Sequence, residues 1–281
     1  MRRTALLVLV LVVTAFAAAE GRLTTAIGSN PPTLDPQKTF NGFSFAITNQ
    51  VYETLFRVTP EGEIEGLLAA SWEYLDPSTL RVTLRDGVKF TDGTALGAAA
   101  VKASLERLLD PATAAPGRFV VSAIEAVEVV DDVTIDIKTG EPFAPLLAHL
   151  AHPVAAIVPV AHGDDLARNP VGSGPYELVS WEQSNQLLLT ANPDYWGGAP
   201  AIGEVLYRII PEISTQLVEL RSGGIDILFN IPPDAFETLA ADTKFETRSY
   251  LGWGSMMLGM NTANPKLSDL RVRQAIAHAI D

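Results

Sequence analysis

Hydrophobic and polar residues alternate strictly from Leu80 to Leu84, with Leu80, Val82 and Leu84 set against Arg81 and Thr83. A period of two predicts a strand with one buried face. The strand runs into Asp86-Gly87 and Asp92-Gly93, dipeptides that supply the positive φ of tight turns, with Val88 and Phe90 alternating around Lys89 between them. A strand is also predicted over 23–27. Ile47, Val51 and Leu55 share the spacing of one helix face, which predicts a helix over 44–56, and Val101, Leu105 and Leu108 predict another over 97–109. Valines and isoleucines on either side of Asp131-Asp132 predict a hairpin, followed by a short helix over 143–150 and an apolar strand over 154–158. A second hairpin pairs 176–181 with 186–190. From Val205 the texture changes to strand, helix and strand (205–210, 214–221, 225–229), the pattern of a parallel βαβ unit. A helix over 233–240 and a buried strand over 256–260 come next. Ser268 is placed to cap a last helix whose apolar face is Val272, Ile276 and Ile280. Its stripe reaches Asp281 without a stop signal, which implies a helix cut in mid-course and a truncated chain.

The first nineteen residues change the picture. Arg2 and Arg3 precede a mostly apolar run, Ala5 to Ala18, that ends in small residues before Glu20. At 1.5 Å per residue an apolar run of about 15 residues spans roughly 22 Å, short of the roughly 30 Å hydrocarbon core. A cleavable signal peptide over 1–19 is therefore expected, and with it a periplasmic protein. The chain has no cysteine, which excludes disulfides, Cys-ligated zinc, a thiol nucleophile and lipid attachment at cysteine. Its net charge is −13, and losing the two signal arginines makes it −15. That balance disfavours nucleic acid and anionic membranes as partners.

The wording of several segments resembles one family. Leu34-Asp35-Pro36, Val51 to Leu55 (VYETL), Leu68 to Trp72 (LAASW), Leu84 to Phe90 (LRDGVKF) and Asp92-Gly93-Thr94 come first. Asn169 to Tyr176 (NPVGSGPY), Asn192 to Gly198 (NPDYWGG), Gly224-Ile225-Asp226, Met260-Asn261-Thr262 and Arg271 to Asp281 (RVRQAIAHAID) follow in colinear order. The series is similar to family 5 extracytoplasmic solute-binding proteins, the peptide- and nickel-binding components of ABC importers. The resemblance implies an α/β, two-lobed periplasmic-binding-protein fold (type II, cluster C-like) with an inserted extra domain. Residues 20–58 plus 169–265 would form lobe I and 59–168 the inserted domain. The segment 266–281 would open a second lobe that is mostly missing. It implies a monomer that captures short peptides, without a cofactor, and delivers them to ABC permease subunits in the inner membrane. A nickel chelate, heme, glutathione or another small solute is the alternative on the same scaffold, and a secreted hydrolase the alternative outside it. Two departures stand out: Ser173 where the family usually has Thr, and Ala99-Ala100 where it commonly has an acidic pair.

No constellation for catalysis is visible. Ser173 lacks the glycine two places earlier that a nucleophile elbow carries, and it precedes a strand. The same stretch lacks the Gly-Lys-Ser/Thr of a phosphate loop. His149, His152 and His162 are close in sequence, but the simpler reading is surface or packing histidines. Tyr195, Trp196 and Trp181 read as core aromatics. For the ligand, Trp253 and Gly254 are the candidates, because Gly252 and Gly254 flank the ring where backbone could approach a solute. Asn41 and Phe43, in the loop after Leu34-Asp35-Pro36, are the second pair.

Overall fold

The computed structural model describes residues 21–249 and 257–280. The chain divides into two compact units, one ending at Asn230 and the other beginning at Ile231.

In the first unit, β1 (Arg22–Ile27) leads through a polar loop and a 3-10 turn at Pro36–Lys38 into α1 (Gly42–Val51). The helix stops earlier than its periodicity predicts. Tyr52 turns extended, Glu53 to Leu55 run on as buried chain, and Phe56 opens β2 (Phe56–Val58), which pairs with β3 (Ile64–Gly66). Next come β4 (Ala69–Asp76), β5 (Thr79–Leu84), α2 (Ala98–Leu109), β6 (Ile124–Val129), β7 (Thr134–Thr139) and α3 (Leu146–Leu150). The hairpin of β8 (Tyr176–Glu182) and β9 (Gln186–Ala191) follows, then β10 (Glu204–Ile209) and α4 (Ile213–Ser222). The second unit holds α5 (Pro233–Ala240) and α6 (Leu270–His278).

Two four-stranded sheets organise the first unit. One has the order β4-β5-β7-β6 and is antiparallel throughout. Leu80, Val82 and Leu84 of β5 and Ile135 and Ile137 of β7 are buried in one core with Val101, Leu105 and Leu108 of α2. On the other face Arg81 lies across from Asp136 and grips its carboxylate with two bonds of 2.8 Å. The expected turns are present, with φ of +74° at Gly87 and +85° at Gly93. Gly97 starts α2 without a side-chain cap, and the Ala98 amide donates to the Asp132 carbonyl instead.

The other sheet has the order β1-β10-β9-β8, with β1 parallel to β10 and the remaining pairs antiparallel. It packs a second core of Ile47, Val51, Tyr52, Leu187, Leu189, Val205 and Tyr207. The expected βαβ unit is modified here. After α4 the chain crosses to the far side of β1, where Ile227 makes an isolated parallel bridge with Thr25, so β1 lies between the two segments. Residues 225–229 therefore form no full strand.

Three further expectations are corrected. Val154 to Val158 is buried but joins no sheet. Its backbone is satisfied individually: the Ile157 amide by the Glu53 carbonyl, the Val158 amide by the Ser104 hydroxyl and the Ala156 carbonyl by the Gln37 amide. Residues 257–260 are irregular, with Met257 and Leu258 exposed, so the buried strand expected there is not seen over its described part. Asp269, not Ser268, caps α6, its carboxylate accepting from the Arg271 amide at 2.9 Å while the Ser268 hydroxyl turns back to Pro265. Among the described residues no helix is long and apolar enough to cross a membrane.

Candidate functional site

An exposed aromatic platform stands out on the first unit. Phe40 comes from the loop before α1, Phe45 from the first turn of α1, Phe119 from a 3-10 turn at Arg118–Val121 and His152 from the residue before Pro153. The Phe40 ring stacks on the His152 imidazole, with centroids 5.2 Å apart and planes 6° from parallel. Phe119 leans on Phe40 at 5.3 Å, and Phe45 meets His152 edge-on at 5.6 Å. Aromatic rings of this size normally bury themselves, yet Phe40 is 48% and Phe119 63% exposed. Gly117 makes the assembly possible, because a Cβ there would lie 2.9 Å from the Phe40 ring and 2.5 Å from a Val154 methyl.

The loop carrying Phe40 is held from both ends. Asn41 caps α1, its side-chain oxygen accepting from the Phe43 and Ser44 amides at 3.0 and 3.1 Å. Phe43 is 37% exposed and lays its ring edge beside Gly28, just past the end of β1. Before the loop, Asp35 is fully buried and paired with Arg107 of α2 at 2.6 Å. Gln37 links the pair to the strandless segment through Ser104 and Ala156. The sequence candidates Asn41 and Phe43 thus directly follow the platform's first aromatic, at the start of α1, whereas Trp253 and Gly254 lie outside the described residues. Phe40, Phe119 and His152 were not singled out as ligand residues from sequence. The signal available was Phe119 beside Gly117, an aromatic in a turn where a polar residue is the usual choice.

His152 also brings the platform a polar group. Its Nδ1 accepts from the Val154 amide at 3.1 Å, so in the neutral ring the proton sits on Nε2. Burial, with His149 nearby, holds its pKa below the ordinary imidazole value. The other two histidines are separate. His149 donates from Nδ1 to the Val120 carbonyl, and His162 Nε2 pairs with Asp92 at 2.8 Å. Among the described residues no group of three or more metal-binding side chains gathers.

Glu53 is the polar hub of the scaffold. It is 3% exposed and its carboxylate accepts from the Ser173 hydroxyl (2.8 Å), the Tyr195 hydroxyl (2.7 Å) and the Trp196 indole (2.8 Å). Burial pushes its pKa up, against the pull of those three donors. The expected core aromatics Tyr195 and Trp196 therefore serve a buried carboxylate, and Ser173 is engaged with it as well. Trp181 donates to Asn30 at 3.2 Å and lies under the Arg168 guanidinium.

A family model described as bacterial extracellular solute-binding proteins, family 5, middle part, matches residues 63–281. The chain belongs to this family. Among curated relatives of this family 5 chain, the glutathione-binding protein GsiB of Escherichia coli strain K12 is 32% identical over 273 residues, which are 95% of this chain and 53% of GsiB. The chain thus spans about half the length of the curated relatives it matches. Among solved structures, OppA of Burkholderia pseudomallei is 26% identical with a TM-score of 0.79, over 94% of this chain and 57% of that one. The periplasmic binding protein DppA of Helicobacter pylori, solved with the peptide STSA, is 30% identical with a TM-score of 0.71, over 79% and 49%. The mixed α/β architecture expected from the sequence is thus that of two-lobed periplasmic binding proteins, over the part of each that the chain covers. Family 5 is a solute-binding family, not a class of enzymes.

Proposed function

We propose that this chain belongs to the binding component of an ABC importer and takes short peptides in the periplasm for delivery to a membrane permease. The observation that carries the reading is the Phe40–Phe119–His152 platform, exposed on a scaffold shared with DppA and OppA. Flat rings bind apolar side chains and peptide planes with little selectivity, and the single imidazole N–H fixes a carbonyl. That chemistry suits a ligand with a constant backbone and variable side chains. GsiB, by its name a glutathione binder, fits the same class, since glutathione is a tripeptide.

In this reading Met1–Ala19 is removed on export. Residues 20–58 plus 169–265 form lobe I, 59–168 the inserted domain, and 266–281 open the second lobe. Phe43 extends the platform and Asn41 holds its loop, while Trp253 and Gly254 remain separate candidates for ligand contact. The protein captures and releases without chemistry. Calorimetric titration of the full-length gene product with di- and tripeptides tests the proposal. Micromolar or tighter binding of several unrelated sequences is expected, and no heat from any peptide would overturn it.

A further inference from the structure

The platform's polar group is locked in one tautomer by the backbone. The Val154 backbone N–H can only donate, so the Nδ1 that faces it at 3.1 Å must be unprotonated. The same bond caps the 3-10 turn at Pro153–Ala155 and holds the imidazole parallel to Phe40. Nε2 then carries the proton and makes no hydrogen bond among the described residues. We propose that His152 is a peptide-contacting residue that donates from Nε2 to a ligand carbonyl only while the ring is neutral, so that acid weakens capture. The inference rests on the peptide reading above.

Protonation is opposed by the geometry. A second proton on Nδ1 would point at the Val154 N–H, so the imidazolium must give up that bond and, with it, the ring orientation that aims Nε2. The elements packed around the ring supply Phe40, Phe45 and Val154, which carry no charge, and His149 of α3, which is the titratable neighbour. The two 3-10 turns that pack on Pro153–Ala155 carry Lys38, which is paired with Asp164, and Arg118, cations that also disfavour a charged imidazole. His149 is a second potential cation, so it adds to the bias against a charged His152. The sign follows by linkage. The ligand binds the neutral ring, so affinity is level above the pKa of the free protein and falls as pH drops through it. Burial and His149 set that pKa below the ordinary 6.5, which places the fall on the acid side of neutrality.

The test uses trialanine as probe and the full-length protein, with calorimetry between pH 5 and pH 8. Two variants separate the roles: His152→Asn, whose side chain can still cap the turn, and His152→Phe, which can still stack on Phe40. Both should bind about three- to tenfold more weakly than wild type at pH 7.5, the effect of one neutral hydrogen bond, and both should lose the acid-side fall in affinity. Long-range proton–nitrogen NMR of the wild-type imidazole should show the proton on Nε2, with trialanine shifting that signal. Wild-type affinity that is flat from pH 5 to pH 8, or equal affinity in all three proteins, overturns the proposal while leaving the peptide reading intact. Absence of any trialanine, dipeptide or tripeptide binding overturns both.

Discussion

The Ser173 hydroxyl donates to the Glu53 carboxylate at 2.8 Å, inside a core where both residues are buried. That bond joins the chain just after α1 to the turn that opens the second sheet's hairpin. Tyr195 and Trp196 complete the arrangement from beyond β9, so three segments distant in sequence meet at one carboxylate. Replacing Glu53 with Ala would leave one buried and two half-buried donors without their acceptor. A loss on the order of 3 kcal/mol is expected, measured by urea unfolding, with Glu53→Gln costing clearly less because the amide oxygen can still accept.

The same carboxylate shapes the acid side of stability. Burial raises its folded-state pKa above the unfolded value near 4.5, so the native state holds its proton more tightly. Its stabilising contribution is fully present below the unfolded pKa and is lost as pH rises through the folded one. Relative to Glu53→Gln, wild-type protein should therefore gain stability as pH falls from 7 towards 5. Melting curves of the two proteins across that range check it, and parallel pH profiles would contradict it.

Asp35 and Arg107 predict a different outcome for single and double changes. Asp35 has no exposed side-chain surface, so Arg107→Met strands a buried carboxylate and should cost about 3–5 kcal/mol. Asp35→Asn combined with Arg107→Met removes both charges and should cost less than Arg107→Met alone. Chemical denaturation of the set gives the coupling energy directly.

Two glycines separate close approach from backbone conformation. A Cβ at Gly172 would lie 2.0 Å from the Val51 carbonyl oxygen, a backbone atom at the end of α1. Gly87 has open space around it and needs only its φ of +74°. Gly172→Ala should therefore destabilise by several kcal/mol or prevent folding, whereas Gly87→Ala should cost only about 1–2 kcal/mol. Comparable thermal shifts for the two variants would count against the close packing at Val51.

Much of this arrangement was legible from patterning. The alternation through β5, the Asp-Gly turns, α2, α5 and both hairpins follow from local periodicity and turn chemistry, and they lie where those rules put them. Two of the misreadings share one cause. Val154 to Val158 and Ile225 to Phe229 are apolar runs, which periodicity alone treats as strands. Whether they pair depends on what lies alongside: Glu53, Ser104 and Gln37 for the first, an intervening β1 for the second. The aromatic platform was hard to read from sequence for a similar reason. Asn41 and Phe43 were candidates because they sit in a polar loop, and they lie next to Phe40 in the chain, but Phe119 and His152 join Phe40 only through the tertiary fold. Likewise Ser173, Tyr195 and Trp196 read as turn and core, and only the structure brings them to Glu53.

The central claim is that peptides are captured on the Phe40–Phe119 face, and Phe119 offers the cleanest probe because it is 63% exposed. Phe119→Ala should leave the melting temperature nearly unchanged. Titrated side by side with trialanine and a dipeptide such as Met-Leu, the full-length variant should bind at least tenfold more weakly than wild type. Equal affinities for Phe119→Ala and wild type, with the wild type binding measurably, would contradict the account.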